Sequence, residues 1–298
     1  MSRMPRGYRR FSAVWVLVGA CLVAPWAEAQ DPRLAEHVYK GVPACAHLFL
    51  RNGYVLCYDP PRRVPSWVSY HLVPGYLETP PRVGACSLFH ADPAVPDPVK
   101  PTDYNGLLKR RGYARGHLAP YACMGGDRDR DGAFAPKDKD DLQTIAEANQ
   151  MSNIAPQHQD AFNGSGGLWF KLERFVQDVL VRRQHRQVWV VSGCLFGRGE
   201  PEKVGPHRDI HVPPMFFEVI AWEEAGRKGP AVLAFLLPHQ HVAHGTLEDF
   251  LVSVDAVEAM TGLDFFSELD DAVEAKLEDA ETWTTWTRIA GAQPRPSG

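Results

Sequence analysis

Apolar and polar positions along this chain fall into runs of two different periods. In residues 46–59 (AHLFLRNGYVLCYD), two apolar, β-prone stretches flank Asn52 and Gly53. That pattern predicts a hairpin closed by a type I′ turn. Residues 66–73 (SWVSYHLV) continue as a strand. The runs QVWVVSGCLF (187–196), MFFEVIAW (215–222) and AVLAFLLP (231–238) are short and nearly continuous in apolar residues, the pattern of buried strands. Helical period appears twice. Leu168, Leu172, Phe175, Val176, Val179 and Leu180 recur at helical spacing through residues 165–183, with charged and amide residues between them. TLEDFLVSVDAVEAMTG (246–262) follows a helical pattern and stops at Gly262. The Pro-rich stretch 74–104 and the Asp-rich stretch 121–141 read as loops, and GYARGHLAP (112–120) as a turn of small residues. With no composition break, this order predicts one α+β domain over residues 30–285, a central antiparallel sheet flanked by helices. Residues 286–298 read as a disordered tail.

The N-terminus alters that picture. Arginines in MSRMPRGYRR precede an apolar stretch and an A-x-A site ending at Ala29, so residues 1–29 read as a secretory signal. Cys21 follows small residues, and a lipid anchor there is the alternative to free export, to the periplasm or outside the cell. No other stretch approaches the length of a membrane span. The whole chain of 298 residues carries −4. Residues 1–29 hold Arg3, Arg6, Arg9 and Arg10 against Glu28, so the remainder is about −7. A protein this acidic has no general attraction for nucleic acid and would need a local basic patch or a bound metal.

Five cysteines remain beyond the leader: Cys45, Cys57, Cys86, Cys123 and Cys194. Export permits disulfides, and the odd number leaves at least one thiol over; the spacing does not assign partners. No C-x-x-C, H-E-x-x-H or G-x-S-x-G occurs, so the marks of zinc ribbons, zincins and α/β-hydrolases are missing. His239, His241 and His244 cluster in PHQHVAHG, which reads as a polar surface loop, with a metal site as the weaker reading.

His117 keeps different company. Arg115 and Gly116 precede it, and NQMSNIAPQHQDAFN and LWFKLE follow downstream. Phosphodiester cleavage needs a base for water, positive charge against the phosphate, and stabilisation of the leaving oxygen. Histidine supplies a base near neutral pH, an Asn carbonyl is a hard ligand for Mg²⁺, a Glu can hold metal-bound waters, and Arg pairs with phosphate.

RGHLAP, SNIAPQ and FN…W…LE resemble the DNA/RNA non-specific endonucleases, the ββα-metal group that includes mitochondrial endonuclease G. Core segments between residues about 45 and 268 resemble that family in the same order. The resemblance implies a ββα-metal site in which His117 is the general base and Arg115 stabilises the phosphorane. It implies Asn163 as the direct ligand of Mg²⁺ (or Mn²⁺), Glu173 as the carboxylate holding metal-bound waters, and Asn153 and Gln157 as organisers of the site. Two departures stand out. Ala114 occupies the place of the family's usual Asp. Asn163 and Glu173 lie ten residues apart, against the usual eight or so, with GSGG (164–167) taking up the difference.

DRDRDGAFAPKD (127–138) also matches a calcium loop, with Asp127, Asp129, Asp131 and Asp138 as ligands and Gly132 at the turn; a solvated acidic loop is the alternative. The reading that follows is an exported, Mg²⁺-dependent endonuclease acting on DNA and RNA through the backbone and leaving 5′-phosphate ends. Its rivals are a catalytically degenerate nucleic-acid-binding module and a phosphodiesterase for small or lipid-linked phosphates. Oligomeric state is not legible.

Overall fold

The six apolar runs all become strands, and each lies in the same antiparallel sheet. The computed structural model describes residues 31–241, 245–279 and 281–291. The predicted leader, Cys21, His244 and residues 292–298 lie outside them. Strands β1 (Leu48–Leu50), β2 (Val55–Asp59) and β3 (Val64–Leu72) form a meander. After helix α2 (Leu107–Arg111), strand β4 (Tyr113–His117) is separated from β5 (Ile154–His158) by a long excursion that ends in α3 (Lys139–Ala148). A short N-terminal α1 (Pro32–His37) precedes all of these, and α4 (Leu168–Arg174) follows them. Next come β6 (Val188–Leu195), the small pair β7 (Lys203–Val204) and β8 (Ile210–His211), then β9 (Met215–Trp222), β10 (Ala231–Pro238) and β11 (Leu251–Val252). Helices α5 (Val254–Thr261), α6 (Asp271–Asp279) and α7 (Glu281–Gly291) end the described chain.

The large sheet has seven strands in the order β1-β2-β3-β6-β9-β10-β11, and β4 and β5 pair separately. Because side chains alternate along a strand, its two faces serve two cores. Val190, Phe216, Ile220, Leu233 and Phe235 point into the core shared with β4–β5 and α4. Phe217, Val219, Val232, Ala234 and Leu236 point into the other, which α5 covers through Val254 and Val257. Burial on both faces explains why these strands read as continuous apolar runs rather than alternating ones.

Several details differ from the sequence expectations. The 46–59 hairpin forms, but Leu50 pairs with Val55, so four residues close it. Neither Asn52 nor Gly53 is left-handed, and the turn is therefore not type I′. Asn52 instead donates its backbone N–H to Glu147 of α3, and a Cβ on Gly53 would fall 2.6 Å from Met124 Sδ. Tertiary contacts, not local turn chemistry, shape this bend. The 165–183 helix starts at Leu168, and from Phe175 to Arg183 it widens into π-type winding. The wider turn carries Gln177 and Val181 inward, where a regular helix would not place them. In 246–262 the helical pattern is split: Leu247–Phe250 make a short 3₁₀ turn, Leu251–Val252 pair with β10, and only Val254–Thr261 are α-helical, capped by Ser253 through Ala256 N–H. GYARGHLAP is no turn, since residues 113–117 are strand β4. The predicted tail is corrected too. Residues 286–291 complete α7, where Trp286 packs on Phe175 and Phe235 and Ile289 is buried. Isolated apolar residues in a polar stretch gave no sign of this docking.

Cys45 and Cys57 form a disulfide, while Cys86, Cys123 and Cys194 are free and buried. Among the described residues, no helix is long and apolar enough to cross a membrane. His239 is not a surface side chain. It is buried, its Nδ1–H donates to Pro213 O at 2.7 Å, and its Nε2 accepts from the backbone N–H of His158 at 2.8 Å. Both ring nitrogens are committed to backbone, which removes it from metal duty; His241 is exposed and lies against His158.

His37 is similarly enclosed, donating from Nε2 to Asn52 O and accepting at Nδ1 from His71 N–H. Burial is the main force pulling His37 down to about 4 and His239 down to about 3. The unfolded chain therefore binds protons that the folded chain refuses. The stabilisation is complete above about pH 6.5 and drains as pH falls through the window toward 4 and 3. In thermal melts between pH 8 and 4, the Tm of the unaltered protein should fall relative to that of His239→Gln, a difference that isolates this histidine from buried carboxyls titrating in the opposite sense. A pH dependence of Tm identical in the two proteins would refute the assignment.

Candidate active site

Strand β4 sets the site's first two groups. Residues two apart on a strand share a face, so Arg115 and His117 project together, while Gly116 faces the other way. Gly116 pairs with Ala155 of β5, and a Cβ there would collide with the Gln157 amide, which lies over it. Glycine between Arg and His is thus a matter of space: any side chain would have to displace the buried Gln157 side chain. Gln157 is fully buried, and neither end of its amide has a hydrogen-bond partner among the described residues.

Asn153 works through bonds instead. Its Oδ1 accepts from Ala119 N–H at 2.8 Å, and its Nδ2 donates to Ala119 O and Ala148 O, each at 2.9 Å. This joins the chain just past His117 to the end of α3. One turn earlier, Asn149 faces the imidazole. Its Nδ2 donates to Cys86 O, which fixes the amide so that Oδ1 lies 3.1 Å from His117 Nε2. A carbonyl oxygen can only accept, so Nε2 carries the proton and Nδ1 keeps the basic lone pair. Sequence reasoning missed Asn149; its place four residues before Asn153 at the end of a helix was the available signal.

His117, Arg115, Asn163 and Glu173 line one cavity of about 250 Å³, together with Arg82, Pro120, Tyr121, Ala122 and Phe170. Arg82 comes from the Pro-rich 74–104 segment and was not foreseen. That segment is anchored to the end of α3 by His90 N–H to Asn149 O and Met151 N–H to His90 O. Arg82 Nη2 also donates to Asn149 Oδ1 at 3.2 Å, and its guanidinium sits 4.6 Å over the Tyr121 ring. Arg115 donates to Pro101 O at 2.7 Å and lies against Phe89 and Tyr104. Neither arginine has a carboxylate partner among the described residues, so both charges are available to an anion.

Burial, then the charge of Arg82, pulls His117 down to about 3, offset in part by Asn149. The ring is therefore neutral near pH 7, the form that can accept a proton. Glu173 moves the opposite way, pushed up to about 8 chiefly by desolvation. Glu218 of β9, buried with Oε1 unpartnered, is also pushed up, by burial first and then by Glu173.

The ten-residue spacing between Asn163 and Glu173 is absorbed locally. Residues 159–163 make one π-type turn, Gly164 N–H bonds back to Gln159 O, and Gly167 N–H bonds to Gly164 O. Gly167 packs directly on the Phe162 carbonyl with no room for a Cβ. The extra residues thus curl out, and α4 begins where Glu173 still lines the same cavity as Asn163. In the acidic loop, carboxylate oxygens of Asp127, Asp129 and Asp131 gather within 4.8 Å of one another. Asp138 does not join them: its carboxylate caps α3 by accepting Asp141 N–H. That corrects the twelve-residue loop, whose last position is spent on starting a helix.

Gly167→Ala should lower Tm by several degrees, since the Phe162 carbonyl must move; overpacking of this kind costs about 1–3 kcal/mol. Gly197→Ala is the control, because a Cβ there meets nothing within 4 Å. Equal Tm for the two variants would contradict the packing described.

Comparison with known proteins places this geometry. The chain is 27% identical to the nuclease of Serratia marcescens over 90% of its own length and 94% of that protein. It is 29% identical to the mitochondrial nuclease EXOG of Xenopus laevis over 83% of its length, and spans 65% of that longer protein. Among solved structures, EndoG from an EndoG/EndoGI inhibition complex superposes with a TM-score of 0.65 at 25% identity, covering 82% of this chain and 96% of that one. The α+β fold with its large antiparallel sheet is therefore the ββα-metal fold of that structure. Residues 34–272 match the DNA/RNA non-specific endonuclease family as a whole, and the chain belongs to that family.

Proposed function

We propose that this protein is an exported, metal-dependent endonuclease that hydrolyses phosphodiester bonds in DNA and RNA. The observation that carries the reading is a neutral histidine, two arginines without carboxylate partners, and an Asn–Glu oxygen pair around one cavity. The donor set fits a hard divalent cation. Asn163 offers a carbonyl oxygen and Glu173 a carboxyl, and a desolvated carboxyl is a group that a neighbouring cation returns to its ionised form. A Mg²⁺ or Mn²⁺ ion held by Asn163, and through water by Glu173, would supply Lewis-acid stabilisation of the phosphate and the leaving 3′ oxygen.

The chain's own groups do the rest. His117 Nδ1 takes a proton from the attacking water, while Asn149 holds the proton on Nε2 and keeps the ring in that tautomer. Arg115 and Arg82 offset the negative charge that grows on the phosphate in the transition state. Attack at phosphorus with departure of the 3′ oxygen leaves 5′-phosphate ends. No group in the cavity is set to read base edges, so the backbone is what is recognised, which suits a lack of sequence preference. The Cys45–Cys57 disulfide supports an oxidising compartment and hence export.

His117→Ala should lower kcat by about 10²–10⁴-fold with an unchanged Tm. Asn149→Ala should lower kcat with little change in KM, because the free ring then samples both tautomers. EDTA should abolish plasmid nicking, and added Mg²⁺ should restore it. Cleavage by pure protein that ignores EDTA, or that survives loss of His117, would sink the reading.

A further inference from the structure

Phe170 is the one aromatic residue lining the cavity whose placement the chemistry above does not explain. It lies three residues before Glu173 on α4, on the same face of the helix. The neighbours Trp169 and Leu172 are buried in the core beneath the sheet, whereas Phe170 is half-buried and lines the cavity. It belongs to neither hydrophobic core, and among the described residues no other ring packs on it. The other aromatic faces at the site are taken. Tyr121 and Phe89 stack on Arg82, and Phe89 and Tyr104 on Arg115. Among the described residues, Phe170 alone presents an unused ring beside two guanidiniums that suit phosphate.

A nucleotide brings both parts to such a site. Its phosphate meets the arginines, and its base, one sugar away, offers a flat apolar face. A ring stacks on any base without regard to sequence. In a duplex the bases are already stacked and paired inward, so a base reaches a protein ring only after leaving the helix. Resting on the nuclease reading above, we propose that Phe170 is a base-stacking platform for the nucleotide beside the scissile phosphate, which makes single-stranded DNA or RNA the better-held substrate.

The test compares a twelve-residue oligothymidylate with an abasic strand of equal length, both cleaved by the full protein with Mg²⁺. For the unaltered protein the abasic strand should show a KM about tenfold higher. In Phe170→Ala that ratio should collapse toward one, because both strands then lack the stacking contact. Phe170→Trp keeps a flat ring and should preserve the ratio, and neither variant should shift Tm much, since the side chain is outside the cores. A ratio near one in the unaltered protein, a ratio that persists in Phe170→Ala, or one lost equally in Phe170→Trp would overturn the proposal while leaving the nuclease intact. Failure of the unaltered protein to cut either strand would instead remove the nuclease reading, and the stacking role with it.

Discussion

The buried side-chain amide of Asn153 is bonded at both ends, to Ala119 on one side and Ala148 on the other. Around it turns the geometry of the site. Strands β4 and β5 are neighbours in space but are separated in sequence by residues 118–153, and closing so long an excursion costs conformational entropy that local contacts must offset. The Asn153 amide makes that closure, with Leu118 N–H bonded to Asn153 O beside it. Loss of the amide would strand buried backbone groups at about 1–3 kcal/mol each. More importantly, the closure brings the end of α3 against His117, and so puts Asn149 at the imidazole. Proton position on the ring is set through this chain of bonds from a residue 36 positions away.

Desolvation then gives the site its character. The same packing that excludes water keeps His117 neutral and raises Glu173, and it does so in a chain whose overall charge is acidic. Positive charge is supplied locally by Arg82 and Arg115, each held by aromatic faces and a single oxygen acceptor rather than by a carboxylate. This also answers the question raised by Ala114. Arg115 is oriented by the Pro101 carbonyl and by Phe89 and Tyr104, so a carboxylate at position 114 is not needed to aim it. An arginine left unpaired in this way keeps its full charge for the substrate.

Much of the frame was legible in the sequence. The strands 187–196, 215–222 and 231–238 match the observed elements to within a residue or two, because both faces of the sheet are covered and the apolar runs are long enough to be unambiguous. His117, Arg115, Asn163 and Glu173 were readable from their ordered motifs and do share one cavity. Other features were not. The hairpin turn at Asn52–Gly53 is bent by Glu147 and Met124 rather than by its own residues. Asp138 was assigned to an ion and caps a helix. Arg82 lies in a stretch whose composition says only that it is irregular, and its position depends on pairing with a helix end far along the chain.

The amino-acid sequence by itself determined which segments must be buried and which residue types carry the chemistry, since hydrophobic period and a base–arginine–amide–carboxylate series are properties of local order. Tertiary structure decided how those groups act. Proton placement on His117, the raised carboxyl of Glu173, the freedom of two arginines and the unstacked ring of Phe170 all arise from what distant segments bring alongside. They depend on excluded water and on partners across the fold, and neither is written in any one stretch of the chain.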